Sequence, residues 1–273
     1  MTLDAGSADI IQLAWARHLG FDDGAFAAAT SSSARRSHLA VAGSGARPAV
    51  RLWREDPAAR ELSFLRLFGV AALTGPAWAL EAASDFSDEQ LADHGTLLSV
   101  SRRANGHGGG TSALFFADDL PLQQTAEELE VSHSPEDFQR LETSCPPDDV
   151  NEVHGALNSG AGDAASWNAS SSTVSWAAGH TSFYTVINEG VPLGAGAFSE
   201  WEGLLASMAV LVAPDWRQQG LGTVVASIAA HEALAGGLTL QCIADVTNTG
   251  ALALARSLGF AAGGTQTTVK LGQ

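Results

Sequence analysis

The residues that could do chemistry gather between Val210 and Thr223, in the run VLVAPDWRQQGLGT. An apolar stretch meets a proline, and a glycine-bearing turn follows, ahead of helical periodicity. Such a turn leaves backbone N–H groups without intrahelical partners at the positive end of the helix dipole. Aimed the same way, they make a cradle for phosphate. Gly220 and Gly222 lack a Cβ, so a pyrophosphate can approach the backbone closely. Arg217 adds a charge-assisted donor. Two phosphate loops are excluded. A Walker loop ends Gly-Lys-Ser/Thr, whereas this chain reads Leu221-Gly222-Thr223. A dinucleotide loop needs GxGxxG between strand and helix, and the comparable Gly194-Ala195-Gly196 lies inside an expected hairpin. Taken alone, the turn also reads as a plain strand–helix connection.

Elements must deliver that turn. Apolar runs at 181–188, 191–198 and 204–213 sit at hairpin spacing, with turns at 189–190 and 200–203, and predict an antiparallel meander. A helix is predicted from 218–220 to about 235. Leu221, Val224, Val225 and Ile228 mark its buried face, and Gly236-Gly237 stops it. A strand at 238–244, a helix at 249–258 closed by Gly259, and a strand at 267–271 follow. Upstream, 127–132 reads as a strand. Ser134-Pro135-Glu136-Asp137 opens a helix with a cap, a first-turn proline and first-turn carboxylates. A second helix is expected at 148–157. The small-residue stretch 158–173 reads as a long loop. The first third begins with a helix at 8–19, where Ile11, Trp15 and Leu19 share a face. Strands are expected at 38–42, 49–54, 64–70, 96–101 and 111–117, with acidic helical surface at 81–93.

Two motifs together resemble the GCN5-related N-acetyltransferase (GNAT) superfamily. Arg217-Gln218-Gln219-Gly220-Leu221-Gly222 has the family's Q/R-x-x-G-x-G/A form, after a V-x-P-x-aromatic lead-in at Val212, Pro214 and Trp216. Downstream, the run from Asn248 through Ala251 and Leu254 to Gly259-Phe260 is similar to the family's N-x-x-A-x-x-L-Y-x-x-x-G-F helix. The resemblance covers residues 125–273. It implies an α/β (α+β) GNAT fold, a mixed central sheet flanked by helices. Residues 1–120 are then an N-terminal accessory α/β domain. Arg103-Ala104-Asn105-Gly106-His107-Gly108 repeats the R-x-x-G-x-G spacing and raises a degenerate GNAT-like repeat there, against a flexible hairpin loop as the other reading.

The resemblance implies acetyl-CoA as cofactor. Backbone amides from Gln218 through Gln219, Gly220, Leu221 and Gly222 to Thr223 would hold its pyrophosphate, with Arg217 beside them. Val210, Leu211 and Val212 would pair their backbone with the pantetheine arm where the strand splays from 238–244. An amide near Val212 would polarise the acetyl carbonyl, and Asn248 would contact pantetheine. The reaction implied is direct attack of an amine on the thioester, which needs a base and an acid. The sequence departs from the family at both. The usual tyrosine position is Ala255, and the usual strand glutamate falls near Ala206. Glu200 and Glu202 are the nearest replacement bases, against a solvated-turn reading of each. Ser257 and Tyr184 are further candidates. The expected function is acetyl transfer to a primary amine. A small cationic acceptor is the first choice and a protein N-terminus or lysine the second. The alternative is a non-catalytic acyl-CoA sensor or interaction module.

Composition sets the outer limits. The chain has 273 residues, 45% hydrophobic and 16% charged, enough apolar content for a sizeable core. Its formal net charge of −16 argues against a nucleic-acid or anionic-membrane partner. Acidic residues concentrate in 1–150, with 22 of the 30. Cys145 and Cys242 form no CxxC pair and fit a reducing cytosol. The N-terminus does not read as a signal peptide, and a cytoplasmic location is expected. The eight histidines show no metal-ligand spacing, and no GxSxG occurs. Trp167, Trp176, Phe183 and Trp201 would either wall an acceptor pocket or pack in the core.

Overall fold

The computed structural model describes residues 3–38, 51–121, 129–158 and 181–272. In chain order its elements are α1 (Ala5–His18), α2 (Ala25–His38), β1 (Arg51–Glu55), β2 (Glu61–Leu67), β3 (Val70–Gly75), α3 (Ala77–Ala83), α4 (Asp88–Leu91), α5 (His94–Ser101) and β4 (His107–Ala117). There follow β5 (Glu130–Ser132), α6 (Pro135–Glu142), α7 (Pro147–Asn158), β6 (Thr181–Asn188), β7 (Val191–Trp201), β8 (Leu205–Val212), α8 (Leu221–Ala235), β9 (Thr239–Asp245), α9 (Thr249–Leu258) and β10 (Ala261–Lys270). The fold is mixed α/β. Two compact units interleave along the chain. The first takes Met1–Ile11, Phe115–Ile243 and Thr249–Ala261; the second takes Gln12–Leu114, Ala244–Asn248 and Ala262–Gln273.

The first unit carries strands in the order β9-β8-β7-β6-β5. β5 through β8 pair antiparallel, and β8 pairs β9 in parallel. One face packs α6 and α7 through Phe138, Leu141, Val153 and Leu157 against Phe183, Ala195, Ala197, Ala209 and Leu211. The other face receives α8 at very short range. A Cβ on Gly196 would lie 2.1 Å from the Val225 carbonyl oxygen, so only glycine lets the helix backbone settle on β7. Ala226, Ala229, Ala230 and Ala233 keep the rest of that contact thin and buried. α6 begins as its sequence predicts: the Ser134 hydroxyl accepts the Glu136 and Asp137 N–H groups, and Pro135 follows.

The second unit orders its strands β1-β3-β2-β10-β4. β1 and β3 are parallel, whereas β2 pairs antiparallel with both β3 and β10. Its core joins Leu62, Phe64 and Leu73 to Ala79, Leu91, Leu97 and Val269.

Several expectations are corrected here. The run 96–101 is helix α5, not a strand. Asp93 caps it by accepting the Thr96 N–H at 2.8 Å and the Thr96 hydroxyl at 3.0 Å, and the cap outweighs strand propensity. The single strand at 64–70 is a hairpin: Phe68 and Gly69 take φ of 46° and 83° and turn β2 into β3. β7 continues to Trp201, so the turn before β8 is Glu202-Gly203, at φ 53° and 67°. The Arg103–Gly108 run is no second cradle. It leaves helix α5 and enters strand β4, the reverse of a strand–turn–helix. The expected strand at 38–42 falls at the end of α2 and beyond the described residues. The loop 158–173 and Trp167 and Trp176 also lie outside the described residues.

Candidate anion cradle and its flanking strand edge

β8 ends at Val212, and a short 3-10 turn at Pro214–Trp216 carries the chain to Arg217. Gln218 then takes φ 60° and Gly220 φ 84°, both left-handed. A glutamine held there is uncommon and costs free energy, which makes this turn unusual among connections. Alternating hand points successive N–H groups to one side, the geometry of an anion-binding nest. Their hydrogen bonds can be accounted for one by one. The Trp216 and Arg217 N–H groups donate to Ala213 and Pro214, and those of Thr223 and Val224 donate to Gly220. Among the described residues, the amides of Gln218, Gln219, Gly220, Leu221 and Gly222 have no acceptor. Among the described residues, nothing lies within 4 Å of where a Gly220 Cβ would be, so they leave the space above the turn open. A Cβ added to Gly222 would instead lie 4.0 Å from Val210 Cγ1, 3.7 Å from Val212 Cγ2 and 3.9 Å from Leu254 Cδ2. The first turn of α8 is thus seated on the end of β8.

The edge of β8 beside this turn is open as well. β8 and β9 pair only at Leu205–Thr239, Ala206–Leu240 and Ser207–Gln241. From Met208 to Val212, β8 keeps its β7 ladder but has no registered β9 partner among the described residues. Val210, Leu211 and Val212 lie on this splayed stretch. The Leu211 side chain is buried in the α6/α7 core.

Side chains around the cradle are partly committed. Arg217 donates through Nε to the Val212 carbonyl at 3.0 Å and through a terminal nitrogen to Asp149 Oδ2 at 2.7 Å. It therefore ties the turn to α7 instead of projecting freely toward an anion. Gln219 Nε2 donates to the Asp215 carbonyl at 2.9 Å. The Cys145 thiol also reaches the Val212 carbonyl, at 3.8 Å. Burial pushes that thiol up, a shift that a Ser144 hydrogen bond and the nearby Arg217 charge partly oppose. Asn248 belongs to the 244–248 segment of the second unit, where its N–H donates to the Asp245 carbonyl at 2.9 Å.

The candidate proton-transfer groups are scattered. Glu200 stands opposite Ala206 on the β7–β8 ladder, and Glu202 is in the following turn. Ala206 and Val212 are six residues apart, so these carboxylates sit about 20 Å along β8 from the cradle. Ala206 and Ala255 are buried and aliphatic, so neither position handles a proton. The exposed Ser257 hydroxyl donates to the Leu254 carbonyl at 2.8 Å. Tyr184 is buried between Phe198, stacked at 6.2 Å, and His133, edge-on at 5.0 Å. Burial, then the Glu232 charge, pushes its phenol up. Phe183 packs on Phe138 at 4.7 Å and Trp201 is fully buried, so both are core.

Asp149, Glu152 and Ala156 lie at i, i+3 and i+7 on α7, one stripe of that helix. Asp149 holds Arg217 at the cradle end. At the other end, the Ala156 carbonyl accepts the Ser207 hydroxyl at 2.9 Å, at the last β8–β9 pair. Glu152 falls between these two anchors. Cys242, the first β9 residue past the pairing, has its thiol pushed up to about 11 by burial and then by the Glu152 charge.

A strand that parts from its neighbour and turns through a nest of unpaired amides into a helix has the geometry to receive an anion. Residues 137–260, a little under half of the chain, match the acetyltransferase (GNAT) family. Solved structures similar to the chain include a GCN5-related N-acetyltransferase from Kribbella flavida, at 18% identity and a TM-score of 0.36. It aligns over 61% of this chain and 59% of its own. A GNAT-family acetyltransferase from Colwellia psychrerythraea aligns at 14% identity and a TM-score of 0.40, over 61% of this chain and 57% of its own. A GCN5-related N-acetyltransferase-like protein from Streptococcus suis aligns at 15% and 0.39, over 78% and 84%. The aligned part thus spans less than two-thirds of the first two. No curated protein matches. Among the described residues, no helix is long and apolar enough to cross a membrane, and no group of three or more His, Cys, Asp or Glu could hold a metal.

Proposed function

We propose that the chain is an acetyl-CoA-dependent N-acetyltransferase that acts on a primary amine, with a small cationic amine as acceptor. The observation that carries this reading is the run of five unpaired amides, Gln218 to Gly222, beside a β8 edge without a partner. The amides would take the pyrophosphate, and the Val210–Val212 edge would pair with the amide-bearing pantetheine arm. That places the thioester farther back along β8, toward Ser207, in the gap left by β9. A neutral amine attacking the acyl carbon there would form the amide and expel the thiolate. A free N–H from β8 within that gap would stabilise the charge that develops on the carbonyl oxygen. The net charge of −16 favours capture of a cationic acceptor over an anionic one.

A second reading, an acyl-CoA sensor without turnover, is favoured by one observation. Both positions where the family's base and acid are expected are buried alanines. Acetyl-CoA incubated with a panel of amines, with free thiol read out continuously, separates the two. Amine-dependent thiol release supports the enzyme. Saturable binding without release from any amine supports the sensor.

A further inference from the structure

We propose that Asp149, on α7, is a built-in competitor of the anion: it holds Arg217 until the diphosphate of acetyl-CoA displaces it, and so sets how tightly the cofactor binds. The inference rests on the reading of the cradle above and holds for transferase and sensor alike. Arg217 directly precedes the first unpaired amide, Gln218, and is the one cation between Ala213 and Thr223. Its guanidinium is committed twice, to Asp149 Oδ2 at 2.7 Å and through Nε to the Val212 carbonyl at 3.0 Å. The second contact occupies the strand edge itself. Val212 stands opposite Gly194 on the β7 ladder, and the Ala213 N–H donates to the Leu193 carbonyl. In an antiparallel ladder this makes Val212 and Gly194 a non-hydrogen-bonded pair, so the Val212 N–H and carbonyl point away from β7, to the side that β9 leaves unpaired. Arg217 thus covers an acceptor that the pantetheine arm would use, while Asp149 neutralises the charge that the diphosphate would use.

The exchange leaves no group stranded. The Arg217 and Asp149 side chains are 40% and 39% exposed, and an ion pair so open to water is weak. A diphosphate brings more negative charge and more acceptor oxygens than one carboxylate, and guanidinium meets phosphate with paired hydrogen bonds. The Val212 carbonyl that Arg217 gives up keeps the Cys145 thiol at 3.8 Å and becomes open to a pantetheine N–H. The released Asp149 carboxylate lies in the first turn of α7, where water and the positive end of the helix receive it. α7 stays on β8 through the Ser207 hydroxyl, which donates to the Ala156 carbonyl at 2.9 Å. Asp149 therefore weakens cofactor binding in two ways that add, by occupying Arg217 and by setting a like charge beside the anion.

The test is the Kd of acetyl-CoA by titration calorimetry on the full chain at low salt. In Asp149→Asn, binding tightens about 3–10-fold, from the freed Arg217 and the lost like charge together. Asp149→Ser, which also removes the charge but keeps a side chain suited to a helix start, gives a gain of the same size. Asp148→Asn removes one charge from the same turn of α7 without touching the Arg217 contact, and it changes Kd less than about twofold. Arg217→Gln weakens binding, and adding Asp149→Asn to it recovers less than about twofold, because the competition has lost its object. Unchanged or weaker binding in both Asp149 variants would overturn the competition. So would a gain as large in Asp148→Asn, or one undiminished in the Arg217→Gln background, since either would make it a general charge effect. Failure of acetyl-CoA to bind wild type and both Asp149 variants alike would overturn the reading of the cradle itself, and this role with it.

Discussion

Gly220 is fixed by its backbone conformation and not by its neighbours. Its φ of 84° is what an alanine resists, and no neighbouring atom would touch an added methyl. Gly220→Ala should therefore cost about 1–2 kcal/mol through backbone conformation alone, measurable by urea unfolding. The same substitution narrows the open space over the amides and should weaken acetyl-CoA more than it weakens the fold. This residue was legible in the sequence, because a glycine between a proline-ended strand and a helix has few other uses. Arg217 was legible only as a charge. Its partner Asp149 is 68 residues away, and no local pattern announces that pairing.

Elements were read best where one local cause dominates. The meander β6-β7-β8 and helix α8 follow from turn residues and periodicity. Helix α5 was misread because apolar and β-branched content outvoted the Asp93 cap. The hairpin β2-β3 was missed because Phe68 is an unexpected residue at positive φ. Two predictions belong to this scale. Gly196→Ala should destabilise the first unit by about 1–3 kcal/mol, since its Cβ would meet helix backbone that must move away. Denaturant unfolding with a fluorescence readout measures it. The second concerns the start of α6. The Ser134 hydroxyl, followed by its own backbone N–H, holds the Glu136 carboxyl below its ordinary range, and the Ser132 hydroxyl with Arg140 does so for Asp137. A depressed folded value stabilises above the unfolded value, near pH 4, and that stabilisation is lost as pH falls through the folded values. Losing the Ser134 cap in Ser134→Ala should cost about 1 kcal/mol at pH 7. The gap to wild type should narrow below about pH 4, as seen in unfolding midpoints across a pH series.

At the scale of the whole molecule, contiguity in sequence was the misleading guide. The second unit completes itself with β10, whose Thr267 pairs with Phe64 on β2. Long-range strand pairing leaves no local trace, so the interleaving of the units could not be read from composition or motif. Net charge, by contrast, needs no fold to be read. With −16 on the chain, acetylation of spermidine should slow several-fold between low salt and about 0.3 M salt, while hydroxylamine is nearly insensitive. Steady-state rates at matched acetyl-CoA saturation provide the comparison. The central claim, that the free amides of Gln218 to Gly222 receive the pyrophosphate of acetyl-CoA, is tested most directly by thermal unfolding with and without that ligand. At about 100 times Kd, a ligand bound only by the native state adds ~2.7 kcal/mol. For a chain of this size that is a rise of roughly 5–10 °C. The account predicts that rise in wild type and its loss in Gly220→Glu, which sets a like charge in the cradle. No rise in wild type at saturating acetyl-CoA, or an undiminished rise in the variant, would contradict it.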